Sequence, residues 1–256
     1  MRWLHSLAIA FSMYSKIPMP RVPWTDEGMK YALCFFPLIG LVIGGIYTVF
    51  GLGAAALRLP ETVRICIGVL IPLAVTGGIH MDGYLDTVDA RCSFDSREKK
   101  LEILKDPHTG AFAVIRCGMY LLGFAAAFGM IPAEKLGITA GIFTLSRALS
   151  GWAVVTFPKA KKDGLAVSFS KSASERAVQI SMGFWAAAAL ALTAAAGGMA
   201  AAAACGAAAA VMFLSYRRMA VKEFGGMTGD LAGYFLQRAE LWQLAAAAAV
   251  FAAVSP

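Results

Sequence analysis

Seven apolar stretches of bilayer-crossing length divide the sequence, at 31–57, 63–79, 112–131, 136–157, 178–196, 198–216 and 233–254. A transmembrane helix needs about 20 predominantly apolar residues. Backbone in lipid must also satisfy its own hydrogen bonds, which leaves α-helix as the form open to such segments. The pattern therefore predicts an all-α polytopic membrane protein of about seven transmembrane helices, one integral membrane domain over residues 1–256. Composition agrees, with 59% hydrophobic and only 15% charged residues, where a soluble domain carries about 25% charged. Mean hydropathy is +0.66. Within the Ala-rich run 178–216, Gly197-Gly198 is read as the turn between two spans. The first thirty residues do not resemble a signal peptide. Their apolar run, Leu7 to Phe11, is short, and Lys16-Ile-Pro-Met-Pro-Arg21 stands where a cleavage site belongs, which predicts an interfacial or re-entrant segment.

The net charge of +7 is explained by where the basic residues lie rather than by nucleic acid. Four precede the first span (Arg2, Lys16, Arg21, Lys30) and five fall between 76 and 111 (Arg91, Arg97, Lys99, Lys100, Lys105). Five more lie between 158 and 177 (Lys159, Lys161, Lys162, Lys171, Arg176) and three follow Tyr216 (Arg217, Arg218, Lys222), 17 in all. The opposite loops hold 3, namely Arg58, Arg64 and Lys135. The excess marks the richer side as cytoplasmic, with the N-terminus inside and the C-terminus outside. A single long helix over 178–216 would carry Arg217, Arg218 and Lys222 to the wrong side, so the hairpin reading is preferred. The five cysteines (Cys34, Cys66, Cys92, Cys117, Cys205) have no paired metal spacing and read as small apolar core residues.

The polar chemistry collects in three loops of the basic side. The first, TGGIHMDGYLDTVDA from Thr76, carries Asp82, Asp86 and Asp89. On a helix, steps of four and three residues stack these carboxylates on one face. A column of like charges calls for a cation, and carboxylates with phosphate oxygens are the natural ligands of magnesium. Gly83 leaves room for close approach to the backbone, and His80 is a candidate ligand or base. The second loop, Lys105-Asp-Pro-His-Thr-Gly110, adds a fourth carboxylate, Asp106, with Lys105 or His108 toward phosphate. The third, Glu223-Phe-Gly-Gly-Met-Thr-Gly-Asp230, is a glycine-rich turn opening a helix, the setting in which backbone amides hold an anion; Gly226, Thr228, Gly229 and Asp230 are its candidates. Arg147 lies inside the fourth span, where an ionised group is costly and marks a functional site by default; substrate phosphate or one of the aspartates is its expected partner. Arg238 and Glu240 near the start of the last span read equally as a structural pair, snorkelling residues or site residues.

GGIHMDGYLDTVDA, LKDPHTGAFAV and GGMTGDLAGYFLQRAE resemble the cobalamin synthase family (adenosylcobinamide-GDP ribazoletransferases), as do YSKIPMP and FFPLIGLVIG near the N-terminus. The likeness covers nearly the whole chain. Lys16 stands where an Arg is common and Ala113 where Gly is frequent, and neither departure touches the acidic residues. The resemblance implies a magnesium-dependent enzyme of the bacterial cytoplasmic membrane. It would join adenosylcobinamide-GDP to α-ribazole, or to its 5′-phosphate, and release GMP; whether it works as a homo-oligomer is left open by the sequence. Asp82, Asp86, Asp89 and Asp106 would hold Mg2+ and supply a base. His80, Gly83, Lys105, Gly110, Arg147, Gly226, Thr228, Gly229 and Asp230 would contact substrate. Two other readings stay open. CDP-alcohol phosphotransferases share an Asp-Gly pair with further spaced aspartates, at a spacing that differs from this one. A cation transporter would place its acids at mid-membrane in broken helices, whereas these lie at the membrane border.

Overall fold

The computed structural model describes residues 2–160 and 165–254, which form helices and turns, with one isolated bridge between Lys159 and Met227. The chain opens with α1 (Arg2–Tyr14), the short α2 (Asp26–Met29) and a 3-10 turn at Ala32–Phe35. Then come α3 (Phe36–Ala56), α4 (Glu61–Thr76), α5 (Ile79–Cys92), α6 (Arg97–Ile103) and α7 (Ala111–Gly129). After a 3-10 turn at Ala133–Lys135 follow α8 (Ile138–Thr156), α9 (Leu165–Ser172), α10 (Glu175–Phe224) and α11 (Gly229–Val254). Lys161 and Lys162, counted above among the basic loop residues, lie outside the described residues.

Among the described residues four segments are long and apolar enough to cross a membrane: 26–56, α7, α8 and α10. The bent pair α4 and α5 would supply a fifth. The chain is thus an all-α polytopic membrane protein. The expected seven arise by counting α10 twice and adding α4 and α11, and the structure qualifies each. The 50 residues of α10 are broken at Gly198, whose φ of 86° and ψ of 167° are not helical. A Cβ at Gly206 would stand 3.2 Å from Leu190 Cδ2, although sixteen residues of unbroken helix span about 24 Å. The chain folds back there, as Gly197-Gly198 predicted. α4, expected to run to 79, ends after 16 residues. α11 has 26 residues, but Arg238 and Glu240 interrupt its apolar run.

α8 forms the centre, with Ile142, Phe143, Ser146, Arg147 and Ala153 all fully buried. α3 lies against it through Gly40 and Gly44, where a Cβ would meet Phe143 O at 2.2 Å and Ala140 Cα at 2.1 Å. Small residues four apart let helix backbones approach closely, and such contact replaces the hydrophobic drive that lipid does not provide. At one end of the bundle the buried Arg64 pairs with Glu61 and donates to Gly129 O at 3.1 Å, tying α4 to α7. At the other end the loops around 77, 110, 158 and 226 converge.

Candidate active site

The bend between α4 and α5 creates the site. Gly77 (φ 65°) and Gly78 (φ 80°) are both left-handed, a conformation glycine takes without strain, and the chain turns by 95° across them. The segment after α1 holds this corner. Lys16 N–H donates to Val75 O at 2.8 Å, and the Lys16 stem lies where a Cβ on Gly77 would be, 2.4 Å from its Cε. α5 then runs across the end of α4. Its inner side buries His80, Met81, Tyr84, Thr87 and Val88. The His80 ring sits 6.3 Å from Tyr14 and 6.0 Å from Phe36, and its Nε2 has no hydrogen-bond partner. A buried ring clasped by aromatics serves packing here, so the expected ligand role of His80 would need the ring to move.

On the outer side Asp82 is exposed and Asp86 and Asp89 are half-buried. Asp89 is tied to the second loop, its Oδ2 accepting from Gly110 N–H at 2.9 Å. A Cβ on Gly110 would fall 2.2 Å from Asp89 Oδ1, so the closeness of this contact explains the glycine. Asp106 follows a different path. Its Oδ1 accepts from His108 N–H at 2.9 Å and meets His108 Nδ1 at 2.7 Å. These bonds, backbone first, hold the Asp106 carboxyl below the usual carboxylate range. Lys105 is exposed beside it.

The third loop reaches α5 where both chains carry glycine. A Cβ on Gly83 would stand 2.8 Å from Asp230 O, and one on Gly233 would stand 2.9 Å from His80 O. The crossing therefore sets Asp230 one residue from Asp82 in position and three from Asp86. Thr228 caps α11, its Oγ1 accepting from Leu231 N–H at 3.2 Å and lying 3.3 Å from Asp230 Oδ2. The expected wrap of glycine amides around an anion is only partly realised. Gly225 and Gly226 N–H groups donate to Val221 O and Ala220 O, closing α10, and Met227 N–H donates to Pro158 O at 2.8 Å. Gly226 is pressed against 158–160, where a Cβ would meet Lys159 C at 2.5 Å. Gly229, with open space at its Cβ position, begins α11.

Arg147 does not join this group. Its Nη1 bonds Glu240 Oε1 at 2.7 Å and Phe143 O at 3.0 Å, and Ser146 Oγ also donates to Glu240 Oε1, at 3.0 Å. The partner expected among substrate phosphate or the aspartates is instead a carboxylate about three turns into α11. Lys159 has a local role too, its ammonium donating to Val154 O and Phe157 O (the latter 2.8 Å) and so capping α8.

Sequence reading missed two contacts. Lys16 is brought to the Gly77 corner only by tertiary packing. Arg91, counted only among the basic loop residues, makes a bidentate pair with Glu223, at 3.0 and 2.9 Å, and joins α5 to the end of α10. No local signal links residues 132 positions apart.

The donor set suits a hard cation. Among the described residues no three His, Cys, Asp or Glu side chains converge as a ready metal cage. Magnesium is commonly held by one or two carboxylates plus substrate phosphates. Asp82 and Asp86 on the open face, with Asp230 brought alongside, fit that incomplete kind of site. Asp89 accepts from Gly110, Asp106 from His108 and Asp230 from the Thr228 hydroxyl.

Comparison with known proteins identifies the family. The cobalamin-5-phosphate synthase family model matches residues 6–248. An adenosylcobinamide-GDP ribazoletransferase of Lachnoclostridium phytofermentans is 45% identical over 241 residues, 94% of this chain and 92% of its own. Ribazoletransferases of a Roseiflexus species and of Treponema denticola are 34% and 33% identical, across 90% and 91% of this chain and 84% and 93% of theirs. No solved structure matches. With the apolar bundle, the bent α4–α5 corner and the acidic face of α5 all inside the matched range, the chain belongs to the cobalamin-5-phosphate synthase family.

Proposed function

We propose that this protein joins adenosylcobinamide-GDP to α-ribazole, or to α-ribazole 5′-phosphate, giving adenosylcobalamin or its 5′-phosphate and GMP. The observation that carries the reading is the acidic face of α5 with the start of α11 pressed against it at Gly83. That is a carboxylate surface beside the first turn of a helix, at the end of the bundle where the basic loops gather. The basic excess supports placing this end in the cytoplasm, with the protein in the bacterial inner membrane, its N-terminus inside and C-terminus outside. The nucleotide substrate would then arrive from water.

Phosphoryl transfer asks a protein chiefly for positioning and charge neutralisation. A hydroxyl of the ribazole ribose attacks the phosphorus nearer the cobinamide. The new P–O bond forms as the pyrophosphate P–O bond breaks, and GMP departs with the bridging oxygen. The hydroxyl proton passes to a carboxylate. Asp89, on the acidic face itself, is placed for that role, whereas Asp106 is tied to His108 in the second loop. Asp82 and Asp86, with Asp230, would hold Mg2+, which when bound supplies positive charge against the pyrophosphate oxygens. The head of α11, opening at Gly229, is the setting for a phosphate oxygen.

The test is turnover by the purified chain in lipid with adenosylcobinamide-GDP, α-ribazole and magnesium, expecting GMP and the joined corrinoid in equal amounts. Absence of GMP release sinks the reading. Asp82→Asn should abolish turnover while helix content and melting temperature stay as in the wild type; an active variant removes Asp82 from the site.

A further inference from the structure

On the side of α5 turned away from the acidic face, a small pocket opens between α5, α10 and α11. It encloses about 50 Å³ and is lined by Arg91, Ser215, Tyr216, Met219, Tyr234 and Arg238, among others. Nine residues, about half a turn off register on a helix, separate Arg91 from Asp82, so the two lie on opposite faces. A single water needs at least about 10–15 Å³, so the pocket has room for a small polar group.

Its charges do not balance. Arg91 Nη1 and Arg238 Nη1 both donate to the Tyr234 hydroxyl, at 2.8 and 2.9 Å. With both lone pairs taken, the Tyr234 proton is left to find an acceptor. Tyr216 is 3% exposed and its hydroxyl has no partner. Glu223 is shared by Arg91 and by Lys100 at 3.5 Å, and among the described residues no carboxylate pairs with Arg238. Two guanidinium groups and two hydroxyls thus converge with a single, already divided counter-charge. Half-buried cations in that state call for an anion. One turn further along α10 stand the exposed Arg218 and Lys222. One turn back along the same helix, Val211 and Leu214 are 60% and 65% exposed, an apolar flank facing outward.

We propose that this pocket binds the phosphate of an anionic phospholipid, its headgroup held by Arg91, Arg238, Tyr216 and Tyr234 and its acyl chains lying along Val211 and Leu214. Arg pairs phosphate through several donors at once, and basic residues gathered at the end of a membrane helix are the usual setting for anionic headgroups. The site is separate from the acidic face and stands whether or not the proposed reaction is right.

Native mass spectrometry of the full chain, released from phosphatidylcholine bilayers doped with phosphatidylglycerol, tests it. The expected result is phosphatidylglycerol retained on the wild type and reduced about tenfold, the loss of one charge-assisted contact, in Arg238→Gln and in Ser215→Asp. Ser215 is exposed, so Ser215→Asp decides alone if Arg238→Gln does not fold. Equal retention in the folded variants overturns the site. Displacement of the lipid by inorganic phosphate overturns the lipid assignment in favour of a free phosphate ion.

Discussion

The Arg147–Glu240 pair and the carboxylates of α5 both belong to helices that meet at α11, and the protein treats their charges in opposite ways. Arg147 and Glu240 side chains are 1% and 2% exposed and face one another at 2.7 Å, with Ser146 and Phe143 O completing the bonds. Asp82, Asp86 and Asp89 have one sign and stand on a face that water reaches. Closed, neutralised charge of the first kind specifies how α8 meets α11. Open, like-signed charge of the second kind costs stability unless something cationic arrives. A charge inside an apolar span, which singles out Arg147 in the sequence, here marks architecture, while the like-signed carboxylates of the proposed site stand toward water.

The largest effect that could break this contrast is on folding. Glu240→Ala leaves Arg147 buried without a counter-charge, and breaking such a pair costs about 3–5 kcal/mol. The expected outcome is a large drop in melting temperature in detergent, with activity lost only in proportion to folded protein. The contrast fails if Glu240→Ala melts like the wild type and yet is inactive, since Glu240 would then belong to the chemistry.

A smaller effect tests the junction between the two regions. In Gly83→Val the new side chain would collide with Asp230 O, which a Cβ alone approaches to 2.8 Å. α5 and α11 must separate, and a shift of about 1 Å at a reacting centre can cost roughly a hundredfold in rate. Turnover should fall about that far while circular dichroism stays helical. An unchanged rate would show that the α11 start does not serve the acidic face.

Why some of this was legible in the sequence and some was not follows from the range of each interaction. Spans, the Gly198 fold-back and the helical register of Asp82, Asp86 and Asp89 are local, set by hydropathy and by residues three or four apart. The end of α4 at Thr76 was hidden because Val75 to Ile79 is apolar enough to continue a span; only the left-handed pair Gly77 and Gly78 breaks it, and glycine is also common within membrane helices. The use of Gly226 was hidden for another reason. Its neighbours Pro158 to Ala160 come from a distant loop, and a glycine packed against a foreign backbone looks the same in sequence as one bent round a phosphate. Arg147 was visible as a charge out of place, but its partner lies 93 residues away.

The smallest effect concerns Asp106, placed with the other acids by residue type and held apart from them by His108. Both side chains are open, at 51% and 89% exposure, so water screens the interaction. Because the folded pKa of Asp106 is lowered, its contribution is present above the ordinary carboxylate value and is lost as the pH falls through the lowered one. His108→Ala removes the side-chain bond and keeps the backbone bond. The Asp106 carboxyl, followed by carbon NMR in magnesium-free buffer, should titrate closer to its ordinary value in that variant, with the melting temperature at neutral pH hardly moved. If Asp106 is merely the local acid of a turn, turnover in His108→Ala should also hold; a fall in turnover that follows the same titration would return Asp106 to the acidic site and make the second loop part of its chemistry.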